Sequence, residues 1–221
     1  MKKFALIVAG GMGSRMGSET PKQFLNLGGK PILMKTLQVF HSYSPELNIV
    51  LVLHTELTGQ WNELCHRHGF DVPFRLAPGG RERYDSVKNG LQLVDDDCLV
   101  AVHDGVRPLV SERIISESFT LAATFGAAIP VMPLNETIRE IKEGQGHVID
   151  RSFLFSVQTP QTFRAGLLKK AYLQEYRREF TDDATLVEAM GEKVHDFPGE
   201  SRNIKITRQE DLLLAEMILP V

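Results

Sequence analysis

The chain has 221 residues, enough for one domain with a small appendage and for a core that buries about 70% of the unfolded surface without staples. Hydrophobic residues make up 43% and charged residues 24%, the proportions of an ordinary globular protein, and a net charge of −3 argues against a nucleic-acid binder, which carries a basic excess. The two cysteines, Cys65 and Cys98, lie far apart with no CxxC partner, which argues against a disulfide framework or zinc site and for reduced thiols in a cytoplasmic protein.

The opening MKKFALIVAGG is basic and then apolar, but its apolar run meets glycines after about six residues, too short for a signal peptide. No stretch approaches the roughly 20 apolar residues of a membrane span. Residues 4–9 instead predict a strand buried on both faces. Pro31 fits the first position of a helix whose apolar stripe is Leu33, Leu37 and Phe40. Residues 49–53 predict a second strand, and Leu57, Trp61 and Leu64 the next stripe. Phe74 and Leu76 suggest a short strand, and Val87, Leu91 and Val94 a further stripe. Residues 99–102 and 127–131 predict two more buried strands. This alternation points to an α/β, Rossmann-like fold: a mostly parallel sheet with helices on both faces. Residues 133–158 break the pattern with polar alternation, Gly144 and Gly146, and are expected to form an arm of antiparallel strands leaving a single domain that spans 1–221. Thr181 before Asp182 and Asp183 predicts a helix N-terminus, with Gly191 ending that helix; Thr207 to Glu210 reads as a capping box.

Ligands of such sheets bind outside the carboxyl ends of the strands, so the loops there carry the chemistry. After the first strand comes AGGMGSRMGSETPKQF, residues 9–24. Gly10, Gly11 and Gly13 let the backbone turn tightly into an anion nest, and Arg15 and Lys22 add two cations. A polyphosphate is the natural ligand. The Walker string is absent, and the dinucleotide fingerprint loses its third glycine at Met16, although Gly11, Gly13 and Gly17 come near it. His103-Asp104 ends the strand over 99–102, where a carboxylate suits Mg2+ or another hard divalent cation bridging to substrate phosphates. Ser86 follows Gly79 and Gly80, and its hydroxyl could bond a base brought close by that turn. Lys205, on an expected strand between two isoleucines, could equally point to solvent. The seven histidines show no metal-ligand spacing; His66 and His68, two apart on a helix, face different ways. No GxSxG elbow, HExxH helix or motif-bound cysteine suggests covalent catalysis.

AGGMGSRM with PKQFLNLGGKPIL resembles the signature of the cytidylyltransferases, and further matches follow in order: GGRERYDSV, HDGVRP, QTPQTF, TDDAT and NIKIT. Together they span nearly the whole chain and are most similar to the cytidylyltransferase family of the non-mevalonate isoprenoid pathway. The resemblance implies transfer of a cytidylyl group from CTP to 2-C-methyl-D-erythritol 4-phosphate, with pyrophosphate released. It implies that Ala9, Gly10, Gly11, Gly13, Gly80 and Ser86 bind the nucleotide, that Asp104 holds the metal beside the acceptor, and that Arg107 builds the acceptor pocket. It makes Arg15, Lys22, Arg151 and Lys205 catalytic, places Lys205 near the acceptor phosphate, and gives Thr181 an acceptor contact. It also implies a homodimer whose arm carries Thr137 and Arg151 to the partner's acceptor. Two departures stand out: HDGVRP replaces the commoner HDAARP, and Arg81 stands where relatives often carry an acid. Ribitol-5-phosphate cytidylyltransferase shares most of these strings. A nicotinamide-dependent oxidoreductase, read from the glycines alone, and a non-catalytic nucleotide-binding regulator are the readings from other classes. None of these readings calls for nucleic acid or a membrane.

Overall fold

The computed structural model describes residues 1–11 and 20–219. Strand β1 (Lys2–Ala9) is wholly buried from Phe4 to Ile7, as its unbroken apolar run requires. Two short strands, β2 (Asn26–Leu27) and β3 (Lys30–Pro31), lead into helix α1 (Ile32–Tyr43). Pro31 is the residue before the helix, one position earlier than its fixed φ alone suggests. Then come β4 (Asn48–Leu53), α2 (Thr58–His68), β5 (Arg75–Pro78), α3 (Arg83–Leu91) and β6 (Cys98–Asp104). Helix α4 (Glu112–Phe125) is capped by Ser111, whose hydroxyl accepts from the Ile114 N–H at 3.2 Å. Strands β7 (Ala127–Pro133), β8 (Ile138–Lys142), β9 (Gln145–Ile149), β10 (Phe155–Val157) and β11 (Gln161–Arg164) follow, then α5 (Ala165–Ala171), α6 (Asp183–Glu188), β12 (His195–Pro198) and α7 (Gln209–Ile218).

The main sheet runs β10-β7-β11-β6-β1-β4-β5, with β12 also paired to β7. Strands β1, β4, β5 and β6 are mutually parallel, β12 runs parallel to β7, and β10 and β11 run against their neighbours. The order leaves β1 toward β4 on one side and returns to β6 on the other. The ends of β1 and β6 therefore form the switch point at which such sheets open a crevice. One face of β1, carrying Ala5 and Ile7, packs with α1, α2 and α4 around Trp61, Phe40 and Phe119. The opposite face, carrying Phe4 and Leu6, packs with α3, α5 and α6 around Tyr84, Phe163 and Tyr172. A third cluster of Ile32, Val106, Ile206, Leu212 and Ala215 packs α7 against the start of α1 and the segment after β6.

Several expectations need correction. The arm is narrower than 133–158: only β8 and β9 leave the sheet as a separate hairpin, whereas Pro133 ends β7 and β10 pairs back onto it at Val131 to Pro133. The hairpin turns at Glu143 and Gly144, both at positive φ (51° and 78°), the geometry that matches strand twist in a two-residue turn. Thr181 does not cap α6. Asp182 does, accepting from the Thr185 N–H at 2.9 Å, while the Asp182 N–H donates to the Thr185 hydroxyl and the two close a capping box. At α7 the reciprocal contact comes from Asp211, not Glu210: its Oδ2 accepts from the backbone of Thr207 and Arg208, each at 2.8 Å. Residues 203–207 form no strand. They are held by single bonds, such as the Ile206 N–H to the Val106 carbonyl at 2.9 Å.

Candidate active site

At the switch point a cleft of about 370 Å³ is lined by Gly10, Gly11, Lys22, Gly80, Ser86, Asp104 and Lys205, among others. Ala9 ends β1 at its wall. The glycines are there because two loops touch. A Cβ on Gly10 would stand 2.6 Å from the Ser86 hydroxyl of the other loop, and one on Gly80 would stand 2.2 Å from Asp85 Cβ within its own turn. The buried Ser86 hydroxyl holds this turn, accepting from the Gly80 N–H at 2.9 Å and donating to the Glu82 carbonyl at 3.1 Å. Its only proton is thus taken by the loop, and toward a base it can only accept. Gln23, unassigned in the sequence reading, is buried and donates to the Ala9 and Gly11 carbonyls, tying the strand end to the segment that bears Lys22. Gly13 and Arg15 lie outside the described residues. The cleft wall includes Lys22, Arg81, Arg83 and Lys205 against Glu82 and Asp104, a balance that favours a polyanion.

Asp104 is the centre of the site. Its Oδ2 lies 3.1 Å from both Arg107 Nε and Lys205 Nζ, and its Oδ1 lies 4.0 Å from Arg83 Nε. Burial alone would raise its pKa, but Lys205, Arg83 and Arg107 outweigh that and hold the carboxyl ionised well below the usual range. Arg107 is turned by a second bond from its Nη1 to the Asn203 carbonyl at 2.7 Å, so the buried Asn203 links the 203–207 segment to β6. Lys205, expected on a strand, reaches Asp104 from an irregular segment instead.

The residues beneath Asp104 come from HDGVRP and QTPQTF. Thr159 Oγ1 accepts from the Asp104 N–H at 3.1 Å and stands 3.0 Å from His103 Nδ1. The Arg107 carbonyl can only accept, so His103 Nε2 donates to it at 3.1 Å; Nδ1 of the neutral ring is then the acceptor, and the Thr159 hydroxyl donates to it. The ring is fully buried; desolvation dominates and pushes its pKa down to about 4, so it is neutral. Gln158 clamps the 199–203 turn, accepting from the Glu200 N–H and donating to the Glu200 carbonyl. Gln161 clamps the start of α6, accepting from the N–H groups of Asp183 and Ala184 and donating to Asp182 at 2.7 Å. The histidine and the two glutamines carried no role in the sequence reading. Only their adjacency to Asp104 in space reveals one.

A second cavity of about 260 Å³ adjoins the cleft and is lined by Arg83, Asp104, Arg107, Thr159, Thr181 and Lys205, among others. Thr181 is therefore brought to the site although it caps nothing. Thr137 and Arg151 are exposed and line neither cavity; Thr137 precedes β8, and Arg151 begins a single helical turn after β9. Among the described residues no cluster of three or more potential metal ligands exists, and no helix is long and apolar enough to cross a membrane.

The chain is similar to known proteins along nearly its whole length. The family model "IspD: 2-C-methyl-D-erythritol 4-phosphate cytidylyltransferase" matches residues 4–220. The 2-C-methyl-D-erythritol 4-phosphate cytidylyltransferase of Bacteroides fragilis is 50% identical over 219 residues, covering 99% of this chain and 100% of that protein. The enzyme of the same name from Porphyromonas gingivalis is 48% identical over 220 residues, covering 99% and 98%. The crystal structure of the Thermus thermophilus enzyme of that name superposes with a TM-score of 0.78 at 32% identity, covering 99% of this chain and 98% of that one. With a family model matching along nearly its whole length, this chain belongs to the 2-C-methyl-D-erythritol 4-phosphate cytidylyltransferase family.

Proposed function

We propose that the chain transfers the cytidylyl group of CTP to 2-C-methyl-D-erythritol 4-phosphate, giving 4-(cytidine 5'-diphospho)-2-C-methyl-D-erythritol and pyrophosphate. The observation that carries this is the Asp104 centre. One cation-ringed carboxylate stands where a cleft along the glycine turn meets a second cavity, so two phosphorylated substrates can face each other across it. The acceptor's phosphate oxygen attacks the α-phosphorus in line while the bond to the bridging oxygen breaks, and its electron pair leaves with pyrophosphate. No strong base is needed, because a phosphate monoester with a second pKa near about 6 is largely dianionic at neutral pH. The protein's task is to hold two anions together and stabilise charge on the α-phosphoryl group. Lys22 does so from the nucleotide side, with Arg15; Arg107 and Lys205 aim the acceptor.

The residues present fit Mg2+ held largely by substrate. Among the described residues, Asp104 Oδ1 has no contact shorter than 4.0 Å to a charged partner, and Mg2+ sites commonly use one carboxylate with substrate phosphates. Bound there, the ion would supply Lewis-acid neutralisation of the phosphate oxygens. The exposed Ile141, Val148, Phe153, Phe155 and Val157 on and beside the hairpin support a homodimer, since a two-stranded ribbon is marginal alone. In that dimer Thr137 and Arg151 serve the partner's acceptor. Both cysteines are free thiols, in keeping with the cytoplasm.

The test is pyrophosphate release from CTP and Mg2+ with 2-C-methyl-D-erythritol 4-phosphate or ribitol 5-phosphate as acceptor. Turnover with the first supports the proposal. Preference for ribitol 5-phosphate reassigns the acceptor, and release with neither rejects transfer.

A further inference from the structure

Arg83 had no role in the sequence reading, yet it stands between the two cavities. It opens α3, and its Nη2 donates to Asp183 Oδ2 at 2.6 Å. Asp183 is wholly buried and fixed from two other sides: its Oδ1 accepts from the Tyr172 hydroxyl at 2.6 Å, and its N–H donates to Gln161 Oε1 at 3.0 Å. A buried ion pair of this kind is weak evidence for stability, because packed apolar residues commonly serve as well. Its placement is more informative. The Arg83 side chain keeps 29% of its surface exposed, and only Arg83, Asp104 and Lys205 line both the cleft and the second cavity among the described residues. Nη2 is committed to Asp183, and at 4.0 Å from Asp104 the Nε is beyond hydrogen-bond reach. Arg83 thus lines the wall common to the two cavities while one edge of its fork is held on Asp183.

We propose that Arg83 is a catalytic residue of the transfer, its guanidinium held on Asp183 and donating to phosphoryl oxygens where the acceptor phosphate meets the nucleotide's α-phosphate. This rests on the cytidylyl-transfer reading above. The step forms the bond from acceptor oxygen to α-phosphorus and breaks the bond to the bridging oxygen, with no proton moved; a cation touching both anions relieves their repulsion as they close. Arginine suits the place because its planar fork can donate to two groups at fixed angles while one edge stays on Asp183. Asp183 is a positioning residue that acts through Arg83.

Arg83→Lys tests this, since it keeps a positive charge opposite Asp183 and loses the fork. Wild type and variant are compared by pyrophosphate release, by thermal melting and by calorimetric stoichiometry for CTP. The expected result is a folded variant with unchanged CTP stoichiometry, KM values within a few-fold and kcat lowered about 10²-fold, as for loss of one transition-state contact. A structural role would instead lower stoichiometry and leave kcat per binding site unchanged. Should Arg83→Lys not fold, the double variant Arg83→Gln with Asp183→Asn removes both charges together, and the same kcat loss per binding site is expected. A folded variant with wild-type kcat overturns the role of Arg83 while leaving the transfer reading intact, because the wild type beside it still releases pyrophosphate. A wild type that releases none removes both.

Discussion

Replacing His103 with glutamine should flatten part of the pH dependence of stability. The ring is fully buried and holds its folded-state pKa at about 4, against an ordinary value of 6.5. A base whose pKa is depressed on folding binds protons more readily in the unfolded chain, so its contribution is intact above pH 6.5 and is lost as the pH falls toward 4. At pH 5 the unfolded ring is mostly protonated and the folded ring mostly neutral. The ratio of the two binding polynomials is about 30, or about 2 kcal/mol, within a ceiling of about 3 kcal/mol for the whole gap. Glutamine places an amide nitrogen near the position of Nε2, where it can donate to the Arg107 carbonyl, and it does not titrate. Urea unfolding of both proteins in EDTA at pH 8 and pH 5 gives four free energies, and every other titrating group cancels in their difference. The wild type should lose about 2 kcal/mol more than His103→Gln between the two pH values. Parallel losses would show that the ring is not a buried neutral base, and the tautomer assigned from Thr159 and Arg107 would go with it.

Lys22→Ala should lower kcat by roughly 10² to 10³ with little change in melting temperature; near-normal kcat in steady-state assays removes Lys22 from the mechanism. EDTA should abolish turnover and Mg2+ restore it, and Asp104→Asn should sharply raise the Mg2+ requirement; full activity in excess EDTA rejects Asp104 as a metal ligand. Gly80→Ala must push a methyl into Asp85 Cβ, now 2.2 Å away, and should cost about 1–3 kcal/mol in urea unfolding while raising the KM for CTP; an unchanged KM would mean that this turn does not shape the nucleotide cleft. Inactive Lys22→Ala and Arg151→Ala proteins, refolded together, should recover roughly a quarter of wild-type activity, since about half the dimers are mixed and each mixed dimer has one intact site. No recovery, with mixed dimers confirmed by mass, would place Arg151 in its own chain's site or in none.

The sequence by itself determined what depends on local order. The apolar run of β1, the stripe of Leu33, Leu37 and Phe40, and the β-α alternation specify a largely parallel sheet, because burial on two faces demands unbroken apolar strands. The glycines beside Lys22, and Asp104 at a strand end, were legible for the same reason: their spacing along the chain is their chemistry. What only the tertiary structure decided lies between segments far apart in sequence. Strand β11 slots antiparallel between β6 and β7, and nothing local in QTPQTF foretells that partner. His103 reads as a histidine in a strand until Thr159, 56 residues on, meets its Nδ1. Arg83 reads as a charge in a helix start until Asp183, 100 residues away, turns it toward Asp104. Asp104 itself is a lone carboxylate in sequence and becomes the centre of a site only when Arg83, Arg107 and Lys205 converge on it. Periodicity reports which face of an element is buried, but the identity of what is buried against it is set by the closing of long loops, and that information is carried by no single stretch of chain.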